Sequence, residues 1–136
     1  MESHDVNDVR YRMGKLLAAK TGHLDADMVV PVPETSRAAA SGYSDLAEIP
    51  YKDIIYKYRY LKRIFITPGQ ALRERSALRA FRYVGKAFAG KNVILVDDSV
   101  VRGTNMKVIV ESLRSFGAGQ IHLVVTWPPI TVSCPH

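Results

Sequence analysis

Apolar positions along the chain follow two rhythms. From residue 5 to 21 they recur at helical spacing, which puts Val6, Val9, Met13, Leu16 and Leu17 on one face and Gly22 at the cap. The run "DMVVPVP" (27–33) is short and continuous, and predicts a buried strand that ends at its prolines. Next, "ETSRAAASGYSDLAEI" (34–49) predicts a small-residue helix that starts at Thr35 or Ser36, with Gly42 as a weak point. "YKDIIYKY" (51–58) predicts a second strand. The pattern then loosens into a basic loop, a bend at Pro68-Gly69 and a basic helix between 70 and 84.

The clearest unit comes last. Residues 93–96 predict a strand, Thr104 a helix N-cap, and Met106, Ile109, Val110, Leu113 and Phe116 one helical face. Gly117 and Gly119 stop that helix, and "IHLVVTW" (121–127) predicts a further strand. Strand, helix, strand in this order implies a right-handed parallel crossover. The expected fold class is α/β: an open, mostly parallel twisted sheet with helices on both faces, taking ligands at the carboxyl ends of its strands.

Composition adds bounds. The 136 residues, 47% of them hydrophobic, suit one domain over 1–136, with no internal repeat or low-complexity linker. The lone Cys134 excludes an internal disulfide framework. No apolar run reaches the roughly 18 residues of a membrane span and no signal-like segment opens the chain, so a cytoplasmic protein without a membrane partner is expected. The net charge of +6 is local: ten basic residues face the single acid Glu74 between Lys57 and Lys91, leaving nine basic against twelve acidic residues elsewhere. Such a segment fits a solvated face, an RNA patch or a lid over an anionic small molecule.

The stretch "VILVDDSVVRGT" (93–104) carries the chemistry. Asp97 and Asp98 end a buried strand, where two adjacent carboxylates repel and are costly to desolvate. The turn behind them leads into a helix N-terminus, whose unpaired N–H groups favour an anion such as phosphate. Ser99 and Thr104 add hydroxyls, and Gly103 allows close backbone approach. One loop thus offers acceptors for hydroxyls or Mg2+ and donors for a phosphate, the two kinds of group a sugar phosphate carries. Neither a Walker A loop nor a dinucleotide fingerprint fits this spacing.

As a complete string, "VDDSVVRGT" resembles the phosphoribosylpyrophosphate (PRPP) signature of the type I phosphoribosyltransferases, and most closely the version in the glutamine PRPP amidotransferase family. "PVPETSRAA" (31–39) is similar to that family's pyrophosphate loop, and "KYRYLKRIFITPGQALRERS" (57–76) to the flexible loop that closes over PRPP. The resemblance implies PRPP binding by Asp97, Asp98, Ser99, Val100, Val101, Arg102, Gly103 and Thr104 together with Glu34, Thr35 and Ser36. It implies Mg2+ placed through Thr35, Asp97 and Asp98, and Lys57, Tyr60 and Arg63 as the catalytic residues of a basic lid over 57–84. The implied reaction displaces Mg2+-pyrophosphate from C1 of PRPP with ammonia to give 5-phosphoribosylamine, the first step of purine synthesis. Implied partners are ammonia from solution or from a separate glutaminase domain or subunit, purine nucleotides as feedback ligands, and further copies of the chain in a homo-oligomer. Nucleic acid is not expected as a partner.

Departures from the family pattern stand at Tyr58 and Ile64 in the lid and at Asn105 after Gly103-Thr104. Ile64 removes a polar side chain from the lid. Relative to the family the chain reads as truncated at both ends. Glu2 occupies the place of the family's cysteine nucleophile, so glutaminase activity is not expected. Cys134-Pro135-His136 is too short for a metal site. Two other readings stay open: a non-catalytic regulator that senses PRPP or nucleotides, and a transferase that joins PRPP to a nucleobase.

Overall fold

The computed structural model describes residues 5–58, 80–100 and 103–127. Helix α1 (Val6–Thr21) starts from Asp5, whose side chain accepts the Asn7 N–H at 3.0 Å. Strand β1 (Met28–Pro31) and helix α2 (Arg37–Ala47) follow, then the short strands β2 (Ile55–Lys57) and β3 (Phe81–Tyr83). A 3-10 turn (Gly85–Phe88) leads to strand β4 (Val93–Asp97), helix α3 (Thr104–Ser115) and strand β5 (Ile121–Val125).

Strands β1, β4 and β5 form a parallel sheet in the order β1-β4-β5, with Met28 opposite Val93 and Val93 opposite Ile121. Tyr51 adds a parallel bridge to Val29 on the outer side of β1. The sheet is covered on both faces, as the unbroken apolar runs require. Val30, Val93 and Leu95 face Ile109 and Leu113 of α3, while Val29, Ile94 and Val96 face Ala39, Ala40 and Tyr43 of α2. The open α/β arrangement expected from the sequence is therefore present. β2 and β3 form a separate antiparallel ribbon, docked on the α3-side core through Ile55 and Phe81.

The structure corrects several local expectations. Helix α1 does not bury Val6, Val9 and Leu16, which are exposed, but Gly14 and Ala18. A Cβ on Gly14 would stand 1.8 Å from the Ala39 carbonyl oxygen, and one on Gly42 2.0 Å from that of Tyr11. Gly42 is thus the point of closest approach between α1 and α2, not a weak point. Residues 81–83 are a strand and not the end of a basic helix, and the 51–58 strand shrinks to 55–57 plus the Tyr51 bridge. Aromatic contacts explain the first change: Phe81 is buried, and Tyr83 packs on Phe116 at 5.5 Å between ring centroids. Propensity at the polar positions around them does not outweigh that burial.

Candidate phosphoribosyl-binding site

Because β1, β4 and β5 run parallel, the loops that follow them gather at one edge of the sheet. The first spans residues 32–36. Its root continues the sheet, with Val32 N–H donating to the Val96 carbonyl at 2.9 Å. Ser36 is fully buried and its hydroxyl donates to the Val32 carbonyl, which closes the loop on itself. Ser36 also sits at the N-cap of α2 without a side-chain bond to the helix. Glu34 and Thr35 are left at the exposed tip.

The second loop starts at Asp97 and Asp98. Thr35 Oγ1 donates to Asp98 Oδ2 at 2.6 Å, joining two loops that lie 63 residues apart in sequence. Asp98 Oδ1 accepts the Ser99 N–H at 2.8 Å, and Asp97 Oδ1 accepts the Asp98 N–H at 2.8 Å. The end of β5 braces the same turn: Thr126 Oγ1 and the Trp127 N–H donate to the Asp98 carbonyl at 3.2 and 3.1 Å. No pattern in the sequence marks Thr126, because its part is played through a backbone acceptor.

These bonds split the two acids. Burial pushes the Asp97 carboxyl up to about 6, and the adjacent Asp98 charge adds to the shift. Burial pushes Asp98 the same way, but hydrogen bonds from the Thr35 hydroxyl, the Asp97 side chain and the Ser99 N–H outweigh it and hold Asp98 below the ordinary carboxylate range. The two neighbours thus titrate apart: burial makes Asp97 the easier of the two to protonate, while the donors gathered on Asp98 favour its ionised form.

Helix α3 begins one residue earlier than predicted. Gly103, not Thr104, is its N-cap, with φ at +68° and its carbonyl accepting the Lys107 N–H at 2.8 Å. Among the described residues, its chain neighbours aside, no atom lies within 4 Å of where a Gly103 Cβ would stand. Ser99 and Val100 are exposed at the rim, whereas Val101 and Arg102 lie outside the described residues. Lys57 is exposed at the end of β2. Among the described residues it makes no hydrogen bond or ion pair to the other candidates. Tyr60 and Arg63 also lie outside the described residues, as do Ile64 and Cys134.

The model of the phosphoribosyl transferase domain matches residues 12–131 of the chain. The chain belongs to the phosphoribosyl transferase domain family. Within that family it is 42% identical over 96% of its length to the amidophosphoribosyltransferase of Bacillus subtilis, and 39% identical over 98% to that of Homo sapiens. It spans only 27% and 26% of those two proteins, about a quarter of each. The solved structure of the B. subtilis glutamine PRPP amidotransferase, complexed with ADP and GMP, superposes with a TM-score of 0.81 at 42% identity. That match covers 96% of this chain and 28% of the other. The fold is thus that of the phosphoribosyltransferases. No helix among the described residues is long and apolar enough to cross a membrane.

Proposed function

We propose that this chain binds PRPP at the edge formed by the two loops and transfers its phosphoribosyl group to ammonia, giving 5-phosphoribosylamine and pyrophosphate. The observation that carries the reading is the Thr35–Asp98 hydrogen bond, which unites the loop suited to a pyrophosphate with the loop suited to a ribose phosphate. In this reading Asp97 and Asp98 accept the ribose hydroxyls. The Ser99 to Thr104 turn, with the α3 N-terminus behind it, takes the 5′-phosphate. Glu34 and Thr35 at the exposed tip cradle the pyrophosphate, while the buried Ser36, its hydroxyl engaged on the Val32 carbonyl, shapes the loop beneath them.

The oxygens of Asp97, Asp98 and Thr35 are hard donors suited to Mg2+. Among the described residues no group of three or more His, Cys, Asp or Glu forms a cage of its own. Two carboxylates and a hydroxyl would leave an ion there to complete its shell with substrate or water oxygens. Mg2+ bound there would neutralise pyrophosphate charge. The chain's own contribution is placement: C1 becomes positive as pyrophosphate departs, and the two loops grip opposite ends of the substrate. Lys57 at the end of β2, with Tyr60 and Arg63 in a lid between β2 and β3, supply cations and a hydroxyl to the leaving group. They speed the reaction only as far as they bind it more tightly when its charge develops.

A glutaminase in a separate domain or subunit, purine nucleotides as feedback ligands and assembly with further copies belong to the same reading. The relatives' names and the nucleotides bound to the B. subtilis enzyme support it. Titration calorimetry with Mg2+ and PRPP tests the site. Asp98→Asn should weaken binding at least tenfold, about 1.4 kcal/mol, while circular dichroism stays unchanged. Equal affinity in the two proteins would remove the site from these loops.

A further inference from the structure

Arg37, the first residue of α2, donates from Nε to Asp53 Oδ2 at 2.9 Å. The two side chains are 40% and 34% exposed, and a pair in that setting adds only about 0–1 kcal/mol of stability. Its costs are visible. Asp53 Oδ1 is buried with no hydrogen-bond partner among the described residues. A cation in the first turn of a helix also opposes the helix dipole. Two local rules are broken side by side without a return in stability, a conflict that gathers where a site must be held in place.

The position of the pair shows what it can hold. The 32–36 loop is fixed from below by the Val32–Val96 bond and by the Ser36 hydroxyl on the Val32 carbonyl. Those bonds set where the loop leaves and rejoins the core. The N-cap Ser36 has spent its hydroxyl there and makes no side-chain bond to α2. On the other side of Thr35, the Arg37–Asp53 pair ties the first turn of α2 to the segment between the Tyr51 bridge and β2. That segment is itself anchored, with the Lys52 N–H donating to the Val29 carbonyl at 2.9 Å.

We infer that the Arg37–Asp53 ion pair is a positioning device for Thr35, holding its hydroxyl in line with Asp98. The inference rests on the reading of these loops as the PRPP site, and adds two residues that were not among the site residues expected from the sequence. A hydroxyl displaced by even about an ångström no longer completes such a site.

Two measurements on the 136-residue chain test it: calorimetry with Mg2+ and PRPP, and the NMR order parameter of the Thr35 methyl group without ligand. Arg37→Met and Asp53→Asn should each weaken PRPP binding about three- to tenfold while the thermal midpoint barely moves. In a Thr35→Ala background, Arg37→Met should cause no further loss, because the hydroxyl it positions is gone. Without ligand, Arg37→Met should lower the Thr35 methyl order parameter and leave that of Thr126 unchanged. An equal loss of affinity with and without the Thr35 side chain would overturn the inference, since the guanidinium would then act by itself. An unchanged Thr35 order parameter would overturn it too. If the unaltered chain bound no PRPP, the functional reading would fall, and the methyl measurement would still decide the positioning.

Discussion

The two faces of the sheet are built on opposite plans. On one, α3 fills the space with Met106, Ile109 and Leu113. On the other, α2 offers Ala39, Ala40 and Tyr43, and α1 reaches it by omitting side chains at Gly14 while α2 does the same at Gly42. Large residues mark the buried face of α3, whereas small ones mark that of α1. Both plans serve the same edge: α3 carries the turn suited to a phosphate, and α2 carries Thr35 to Asp98.

The sharpest way to break this contrast is to add bulk where the helices touch. Gly42→Leu sets a side chain against backbone that cannot yield, since its Cβ alone meets the Tyr11 carbonyl oxygen at 2.0 Å. A loss of about 4 kcal/mol or more is expected, from overpacking that relaxation cannot absorb. Because α2 delivers Thr35, PRPP binding should vanish with it. Leu113→Ala attacks the other face by removal and should cost about 2–5 kcal/mol. Urea unfolding followed by circular dichroism reads both. A Gly42→Leu chain as stable as the unaltered one would show that α1 and α2 are not in contact in solution.

The same contrast explains what could be read from the sequence. Around α3 the reading held: strand, helix and strand fell at 93–97, 104–115 and 121–125, and the two sheet faces alternated as an unbroken apolar run demands. For α1 it failed, because periodicity counts large apolar residues and that interface is made by leaving them out. Strand β3 was missed for a related reason: it and its partner β2 form a ribbon of three-residue strands, too short to show a period. At the site, Thr35 and Asp98 were found through motif resemblance, and their hydrogen bond places them together. The pairing of Arg37 with Asp53 was invisible, since an ion pair across 16 positions leaves no local signature.

A smaller effect comes from the acid held between the two faces. Folding raises the Asp97 carboxyl to about 6, so the native chain binds that proton more tightly than the unfolded one. The stability it contributes is complete below the unfolded value of about 3.9 and is lost as pH rises through the folded value. At pH 8 the ligand-free chain therefore carries an unfavourable charge. Asp97→Asn should stabilise it there by about 1–2 kcal/mol, a figure reduced for the partial exposure of the group, with the gain gone near pH 3. Thermal midpoints across that pH range check the sign. A gain that grew toward low pH would mean Asp97 is ionised more easily in the fold than out of it.

The smallest effect tests whether the outward side of α1 is truly outward. Val6, Val9 and Leu16 make an apolar stripe there, with Leu16 69% exposed. Single apolar residues on a surface need no explanation, but a stripe along one helix fits a covering partner. The chain spans only about a quarter of the relatives it matches, and the proposed assembly with further copies would also need such a surface. If the chain works as a monomer, Leu16→Gln should change stability by no more than about 0.5 kcal/mol, the usual range for a surface site. A loss above about 1.5 kcal/mol that depends on protein concentration would mean a second copy buries Leu16, because stability coupled to association follows mass action. The stripe would then join Gly14 and Gly42 as part of a buried interface, and α1 would be packed on two sides in place of one.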